Sequence, residues 1–196
     1  IADKAEMSCK VVEKAYPEER VGVYVMKEGK AKNVEYIFML EELLYQKDDD
    51  GKLSYRAGNI GNHIIDRDFI SRVATDAELP HFMAHKKIAH ITKDAQRITP
   101  MSPNAFKFES FVFDALEFAD EVSIFSVPRE EEFAPVKNRE GIDSADSARN
   151  LLTAQAKRWM EAAGFDREVM DRLVAAEISP LIALSEEEFV VKAKPH

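Results

Sequence analysis

Two polar residues stand at positions where a protein could bind a small anionic ligand. Asn59 lies between Gly58 and Gly61, and glycines let a ligand approach the backbone closely. Lys137 lies in a loop just after a predicted strand, where a lysine is well placed to meet a phosphate in an open α/β sheet. Most loop lysines are only solvated, so this spacing indicates a candidate phosphate site without defining a reaction.

Four more residues have ordinary interpretations when each is considered singly. Lys107 lies within a predicted helix over residues 105–119, where it would be a solvated helix lysine. Phe111 and Phe113 would form the core and flank of the same helix, whose apolar residues recur at three- and four-residue spacing. Glu35 follows alternating residues in a predicted strand and is interpreted as an exposed strand acid.

Two groups of potential metal ligands have patterns that do not favour a metal site. The acids at residues 48–50 precede a glycine and a lysine, which is typical of a solvated hairpin turn. His81 and His85 have the spacing of a zinc-protease motif, but Phe82 stands where that motif requires glutamate. We therefore predict no metal ligands within this chain.

The sequence has no phosphate-binding glycine loop. Its 7 glycines form neither a GxG nor a GxxxxGK pattern. The polyphosphate of a nucleotide normally requires clustered backbone N–H groups or a helix N-terminus. The chain therefore offers no nucleotide site of the usual glycine-rich kind.

Composition and charge narrow the class of protein. The 196 residues are 45% hydrophobic and 32% charged, the balance of a globular chain that can bury a core. The net charge of −9 argues against nucleic-acid binding, which requires a basic face. The single cysteine, Cys9, cannot form an internal disulfide, so we expect a reducing, cytoplasmic location. No apolar run approaches the length of a membrane span, so no membrane partner is expected.

The order of the elements predicts the fold class. Period-2 alternation predicts strands, and three- to four-residue apolar spacing predicts helices. Because the two alternate, we predict an α/β fold with a mixed sheet. A boundary near Gly164 would separate residues 1–164 from a small helical tail at 165–196. The predicted strands are 21–25, 32–36 and 122–127, with a strand or loop at 55–65 and extended chain at 83–91, and the predicted helices are 41–46, 67–77, 105–119, 147–163 and 166–176.

An ordered set of short motifs covers nearly the whole chain. The strongest is Pro-Asn-Ala-Phe-Lys-Phe-Glu-x-Phe-Val-Phe-Asp at residues 103–114, followed by Arg-Glu-Glu-Glu-Phe-Ala-Pro-Val-Lys-Asn at 129–138. With the motifs at 10–14, 21–23, 34–36, 57–63, 84–88 and 177–182, they resemble the eukaryotic-type UDP-N-acetylglucosamine pyrophosphorylases. By this resemblance, residues 1–164 are the sugar-1-phosphate-binding half of the catalytic domain, the C-terminal part of a Rossmann-like nucleotidyltransferase domain.

The resemblance implies a reaction in which UTP and N-acetylglucosamine 1-phosphate form UDP-N-acetylglucosamine and pyrophosphate with Mg²⁺. The sugar phosphate attacks the α-phosphorus of UTP in line, and the protein aligns two anions and offsets their repulsion. The resemblance also implies roles: Glu35 and Asn59 would hydrogen-bond the sugar, Phe111 and Phe113 would shape its pocket, Lys107 would contact phosphate, and Lys137 would contact phosphate as the catalytic lysine.

The sequence departs from that family in one large respect. The N-terminal half is absent, and with it a glycine-rich LxGGxGTRLG-type loop. In the family, that half supplies the uridine site, the pyrophosphate contacts and the metal-binding groups. The resemblance therefore implies that this chain works together with the N-terminal half of the same enzyme and is inactive alone.

Other functions stay open on the sequence. The same chemistry could act on another sugar, as in UDP-glucose or broad UDP-sugar pyrophosphorylases, although the motifs at 111–114 and 131–133 favour the N-acetylhexosamine branch. N-acetylgalactosamine 1-phosphate differs at one hydroxyl and could also be accepted. The absent glycine loop is instead compatible with a non-catalytic domain that binds sugar phosphates, or with a structural domain that binds nothing.

Overall fold

The computed structural model describes residues 4–193 and divides into two compact units. The first unit is Ile1–Ser126 and the second is Val127–His196. Gly164, where the sequence suggested a boundary, lies inside the second unit. The assignment of a sugar-binding role to residues 1–164 stays a prediction.

The first unit is built around a five-stranded mixed sheet. Its strands and helices are β1 (Met7–Glu13), β2 (Val23–Lys27), β3 (Lys30–Val34), α1 (Glu41–Leu44), β4 (Ala57–Ile65), α2 (Arg67–Asp76), β5 (Phe82–Lys86), β6 (His90–Ile91), β7 (Arg97–Ile98), β8 (Ala105–Glu109) and β9 (Val122–Ser126). The sheet order is β3-β2-β4-β1-β9. Strands β1 and β9 are parallel, and the other neighbouring pairs are antiparallel. The predicted α/β class with a mixed sheet is confirmed.

The core of the first unit follows from the alternation in β1. Met7, Cys9 and Val11 point to one face and are buried there against Phe69 of α2. Helix α2 begins where it does because the Asp66 side chain accepts hydrogen bonds from backbone N–H groups of its first turn. This packing fixes the register of β1. A shift of one residue would turn its buried apolar side chains to the other face of the sheet, which costs hydrophobic free energy.

The prediction of one helix over residues 105–119 is wrong. Residues Ala105–Glu109 form β8, which pairs antiparallel with β5, and Val112–Phe118 form a short 3₁₀ helix. The phenylalanines in β8, Phe106 and Phe108, alternate and favour a strand. The apolar residues of this segment also fit helical spacing. The backbone hydrogen bonds with β5 decide the conformation, and a single sequence does not reveal them.

The second unit is helical. It contains α3 (Arg129–Glu132), α4 (Ala145–Ala162), α5 (Arg167–Arg172) and α6 (Glu186–Lys192). The predicted helix at 147–163 is found as α4, which begins two residues earlier, where Ser144 and Ser147 form a reciprocal capping box. Gly164 follows the end of α4 with a φ of +83°, as expected for a residue just past a helix. Trp159 and Phe189 form the centre of this unit's apolar cluster.

Two details of the second unit differ from the sequence-based expectation or extend it. The predicted helix at 166–176 is shorter, because helix α5 ends at Arg172. The loop that follows the predicted strand at 122–127 and holds Lys137 contains the short helix α3.

Within residues 4–193, which include both units, no helix has the length and apolar character that a bilayer crossing requires.

Candidate functional site

The structure brings two of the predicted sugar-binding residues together through a third side chain. Asn33, on β3, donates from its Nδ2 to Oε1 of Glu35 over 2.9 Å. Its Oδ1 accepts a hydrogen bond from Nδ2 of Asn59, on β4, over 3.1 Å. The Oδ1 of Asn59 in turn accepts from the backbone N–H of Gly61 over 2.8 Å. These side chains form a continuous polar network, in which Asn33 was not predicted from the sequence.

Gly22 leaves room for this network. A Cβ at this position would stand 2.7 Å from Oε1 of Glu35 and 2.8–2.9 Å from the amide atoms of Asn33. The Gly22 carbonyl oxygen also accepts a hydrogen bond from the backbone N–H of Asn59 over 2.8 Å. Glycine is therefore the residue that lets the two polar side chains lie against the backbone here.

A row of aromatic rings lies between the turn after Glu35 and strand β4. Its consecutive ring centroids are 5.4 Å apart from Phe38 to Phe82, 5.4 Å from Phe82 to Phe111, and 4.9 Å from Phe111 to Phe113. The row reaches β4 at His63, 6.5 Å from Phe113. Rings at these distances attract one another beyond their burial. Phe111 and Phe113 stack at an interplanar angle of 12°, so they present one continuous wall.

Asp114 is a buried carboxyl that the sequence analysis passed over. Its side chain is almost fully shielded from water, and Oδ2 has no hydrogen-bond partner within the described residues. Burial, followed by the negative charge of Glu117, raises the pKa of Asp114 to about 6. A hydrogen bond with the backbone of Phe111 acts in the opposite direction, while the charge of Glu35 adds to the rise.

A cysteine, a histidine and a tyrosine meet behind the aromatic row. His63 Nδ1 lies 3.4 Å from Cys9 Sγ and 3.5 Å from the Tyr24 hydroxyl. Burial raises the pKa of Cys9 and lowers the pKa of His63. Both shifts favour the uncharged forms, whereas a reactive cysteine needs its thiolate form. We assign this cluster to packing and not to nucleophilic catalysis.

Lys107 is tied to a neighbouring acid. It projects from β8 opposite Ala84 of β5, and its Nζ forms an ion pair with Glu109 on the same strand. The side chain is half exposed, so this pair is only weakly stabilising. The hydrogen bond from Lys107 lowers the pKa of Glu109.

Lys137 lies in the second unit, in a loop closed by its own backbone. The N–H groups of Lys137 and Asn138 both donate to the carbonyl oxygen of Asp143, over 2.6 and 2.8 Å. The Lys137 Nζ lies 5.9 Å from the ring centroid of Phe133, within reach of a cation–π contact. The loop therefore presents the ammonium group on an ordered backbone.

A cleft of about 350 Å³ opens in the first unit. Its lining includes Cys9, Lys10, Asn62, His63 and Phe125. None of the six predicted site residues lines it, but it shares His63 with the end of the aromatic row. The cleft is therefore a neighbouring location against which the candidate site can be tested.

Comparisons with known proteins agree on one family. A sequence model of the family described as UTP–glucose-1-phosphate uridylyltransferase matches residues 1–194. UDP-N-acetylhexosamine pyrophosphorylase-like protein 1 of Homo sapiens is 42% identical over 165 residues, which are 82% of this chain and 32% of that protein. UDP-N-acetylglucosamine diphosphorylase 2 of Arabidopsis thaliana is 36% identical over 196 residues, 95% of this chain and 38% of that protein.

A solved structure has the same fold. The UDP-N-acetylglucosamine pyrophosphorylase of Trypanosoma brucei, crystallised with an inhibitor, matches with a TM-score of 0.77 at 29% identity. The match covers 97% of this chain and 40% of that chain. The chain thus spans about a third of the length of the curated relatives it matches, at 32% and 38%.

The two glycines near the network are expected to differ in their tolerance of a methyl group. In Gly22→Ala the new Cβ meets only the ends of the Glu35 and Asn33 side chains, which can move. In Gly58→Ala it meets the Val12 carbonyl oxygen at 3.0 Å, which cannot. We expect Gly58→Ala to lower the free energy of unfolding by about 1–3 kcal/mol and Gly22→Ala to lower it by less than about 1 kcal/mol. Equal losses in a urea titration of both variants would contradict this assignment.

Asp114→Asn is expected to change the pH dependence of stability. The folded-state pKa is raised from 3.8 to about 6, so the stability contributed by the protonated carboxyl is present below about pH 4 and is lost as the pH rises through about 6. The asparagine variant should therefore gain about 1–3 kcal/mol relative to the wild type between about pH 4 and pH 7. The measurement is denaturant unfolding across that range.

The exposed turn variant Asp94→Asn is the matched control for this pH series. A difference between Asp114→Asn and wild type that stays constant, or that shrinks with rising pH, would show that Asp114 is not the shifted group.

Proposed function

This chain belongs to the UTP–glucose-1-phosphate uridylyltransferase family, and from that premise we propose that it supplies the sugar-1-phosphate-binding part of a UDP-N-acetylhexosamine pyrophosphorylase. The complete enzyme joins UTP and N-acetylglucosamine 1-phosphate to form UDP-N-acetylglucosamine and pyrophosphate. The observation that carries the proposal is the polar network of Glu35, Asn33 and Asn59. The aromatic wall of Phe111 and Phe113, which connects to the turn after Glu35 through two more rings, supports it.

The chemistry of the site suits an N-acetylated sugar. The Glu35 carboxylate can accept hydrogen bonds from sugar hydroxyls, and the Asn59 amide can both donate and accept. The stacked rings of Phe111 and Phe113 offer an apolar wall for the methyl of the acetyl group. Together these groups would hold the sugar ring in one orientation, so that its phosphate can approach the α-phosphorus of UTP from one direction only.

The reaction itself requires alignment more than covalent catalysis. An oxygen of the sugar phosphate attacks the α-phosphorus of UTP, the bond between the α- and β-phosphates breaks, and pyrophosphate leaves with the electron pair. Two anions must meet, so positive charge placed along the phosphates lowers the barrier. Lys107 and Lys137 are the residues to which we give this role, and Lys137 is the catalytic one.

The proposal includes Mg²⁺, which shields phosphate charge when it is bound. Within residues 4–193, no group of three or more histidine, cysteine, aspartate or glutamate residues is placed to hold a metal ion. We therefore assign no metal ligand among these residues. The remaining N-terminal half of the enzyme is the proposed partner that supplies the nucleotide and metal contacts. We place the enzyme in the cytoplasm because its segment carries a single, buried cysteine.

A second candidate is the same reaction with glucose 1-phosphate. It is favoured by the description of the matched family, which names that sugar phosphate. The curated relatives favour the N-acetylhexosamine instead, because their names refer to N-acetylhexosamine or N-acetylglucosamine.

One assay separates these candidates. The full-length gene product is incubated with UTP, Mg²⁺ and one of three sugar phosphates, which are the 1-phosphates of N-acetylglucosamine, N-acetylgalactosamine and glucose. We expect the highest kcat/KM with an N-acetylhexosamine 1-phosphate. The highest value with glucose 1-phosphate would favour the second candidate, and no product with any of the three would refute a pyrophosphorylase. The isolated 196-residue chain, assayed in parallel, is expected to form no product.

Lys137→Ala, made in the full-length protein, is expected to lower kcat/KM by about 10²-fold or more. The reason is the loss of one charged donor that stabilises the phosphates in the transition state. Arg139→Ala is the control, because Arg139 is an almost fully exposed cation in the same loop. A loss of less than about tenfold in Lys137→Ala, or an equal loss in the control, would remove Lys137 from the catalytic role.

A further inference from the structure

We propose that Asn33 is a positioning residue for the sugar. The Glu35 carboxylate fixes the orientation of the Asn33 amide, and the Asn33 amide in turn fixes the orientation of the Asn59 amide. The inference rests on the proposed function, because it concerns the same sugar-binding residues. The Asn33 side chain hydrogen-bonds to both of them, over 2.9 Å to Glu35 and 3.1 Å to Asn59.

The two ends of this network are chemically fixed. A carboxylate accepts hydrogen bonds and cannot donate them, whereas a backbone N–H donates and cannot accept. Glu35 therefore requires the NH₂ group of Asn33 on its side. The N–H of Gly61 requires the amide oxygen of Asn59 on the other side. Only one arrangement then pairs a donor with an acceptor at every contact, with Asn33 Oδ1 facing Asn59 Nδ2.

This fixed orientation decides what the site presents to a sugar. An amide NH₂ group carries two donors, and on Asn59 one of them is used by Asn33. An ionised carboxylate has roughly four acceptor positions, and on Glu35 one of them is used by Asn33. Asn59 therefore offers a remaining donor and Glu35 offers acceptors. If the Asn59 amide rotated, its oxygen would replace that donor, and a sugar oxygen that needs a donor would lose it.

The surroundings of Asn33 hold its side chain in place. Its cross-strand partner in the β2–β3 pair is Tyr24, which is buried. The Asn33 amide lies against the Gly22 backbone, in space that a Cβ at Gly22 would occupy. The Asn33 side chain is only partly exposed, so water competes less for its hydrogen bonds than at an open surface. These contacts favour one orientation of the amide.

The test uses two substitutions of similar size in the full-length protein. Asn33→Leu removes both hydrogen bonds, and Asn33→Asp places a carboxylate opposite Glu35 and removes the donor between them. Asn150→Leu and Asn150→Asp are the matched controls, because Asn150 is exposed on helix α4. The kinetic measurement is the KM for the sugar phosphate and, separately, the KM for UTP.

We expect both Asn33 variants to raise the KM for N-acetylglucosamine 1-phosphate by about tenfold or more, with the KM for UTP within about twofold of wild type. We also expect the preference between the N-acetylglucosamine and N-acetylgalactosamine phosphates to change, because these sugars differ in the orientation of one hydroxyl. A purely structural role for Asn33 would not separate the two substrates in this way.

The outcomes that overturn the inference are distinct from those that overturn the function. If the wild type is active and the Asn33 variants keep its sugar-phosphate KM within about twofold, Asn33 is not a positioning residue and the proposed function stands. Equal increases in both KM values also reject the positioning role. If the wild type forms no product with any sugar phosphate, the proposed function fails and this inference fails with it.

A second measurement remains decisive if Asn33→Leu does not fold. The double variant Asn33→Asp with Glu35→Gln exchanges the acid and the amide, so that the new glutamine can donate to the new aspartate while the aspartate still accepts from Asn59. We expect it to recover most of the loss in Tm that Asn33→Asp causes. A double variant no more stable than Asn33→Asp would show that these side chains do not form the donor–acceptor chain described above.

Discussion

Gly58 lies where strand β4 pairs with β1 on one side and with β2 on the other. A Cβ at this position would stand 3.0 Å from the carbonyl oxygen of Val12 and 3.3 Å from the side chain of Val21. The close approach of the three strands therefore requires a residue without a side chain. Asn59 follows Gly58 on β4, and its backbone N–H donates a hydrogen bond to the Gly22 carbonyl oxygen. The polar network depends on this contact.

Two sets of contacts connect the pairing of β4 with β1 and β2 to the proposed sugar site. The first is the donor–acceptor order through Asn33, which relates a residue of β3 to one of β4. The second is the aromatic row, which extends from Phe38 of the 3₁₀ helix Tyr36–Phe38 to His63 on β4. Its second ring, Phe82, lies on β5, which belongs to a different, two-stranded sheet. The polar and apolar parts of the proposed site therefore meet at two places, the segment after β3 and strand β4.

The sequence predicted much of this fold, because strand alternation and helix caps are local signals. The sugar-binding role of Glu35 and Asn59 was expected from the family resemblance and stays a prediction, while their proximity depends on strand pairing and has no local signature. Asn33 was missed because a single asparagine in a strand looks like a surface residue until its partner, 26 positions away, is known. Asp114 was missed because an aspartate is expected to be solvated. The error at residues 105–119 has the same origin, since pairing with β5 decided the conformation of β8.

The most direct test of the sugar site is a crystal structure of the full-length gene product with bound UDP-N-acetylglucosamine. The account predicts sugar hydroxyls within about 2.6–3.2 Å of the Glu35 carboxylate and the Asn59 amide, with the acetyl methyl group against Phe111 and Phe113. A sugar bound in the cleft beside Lys10, or at any other position without contact to Glu35 and Asn59, would contradict it.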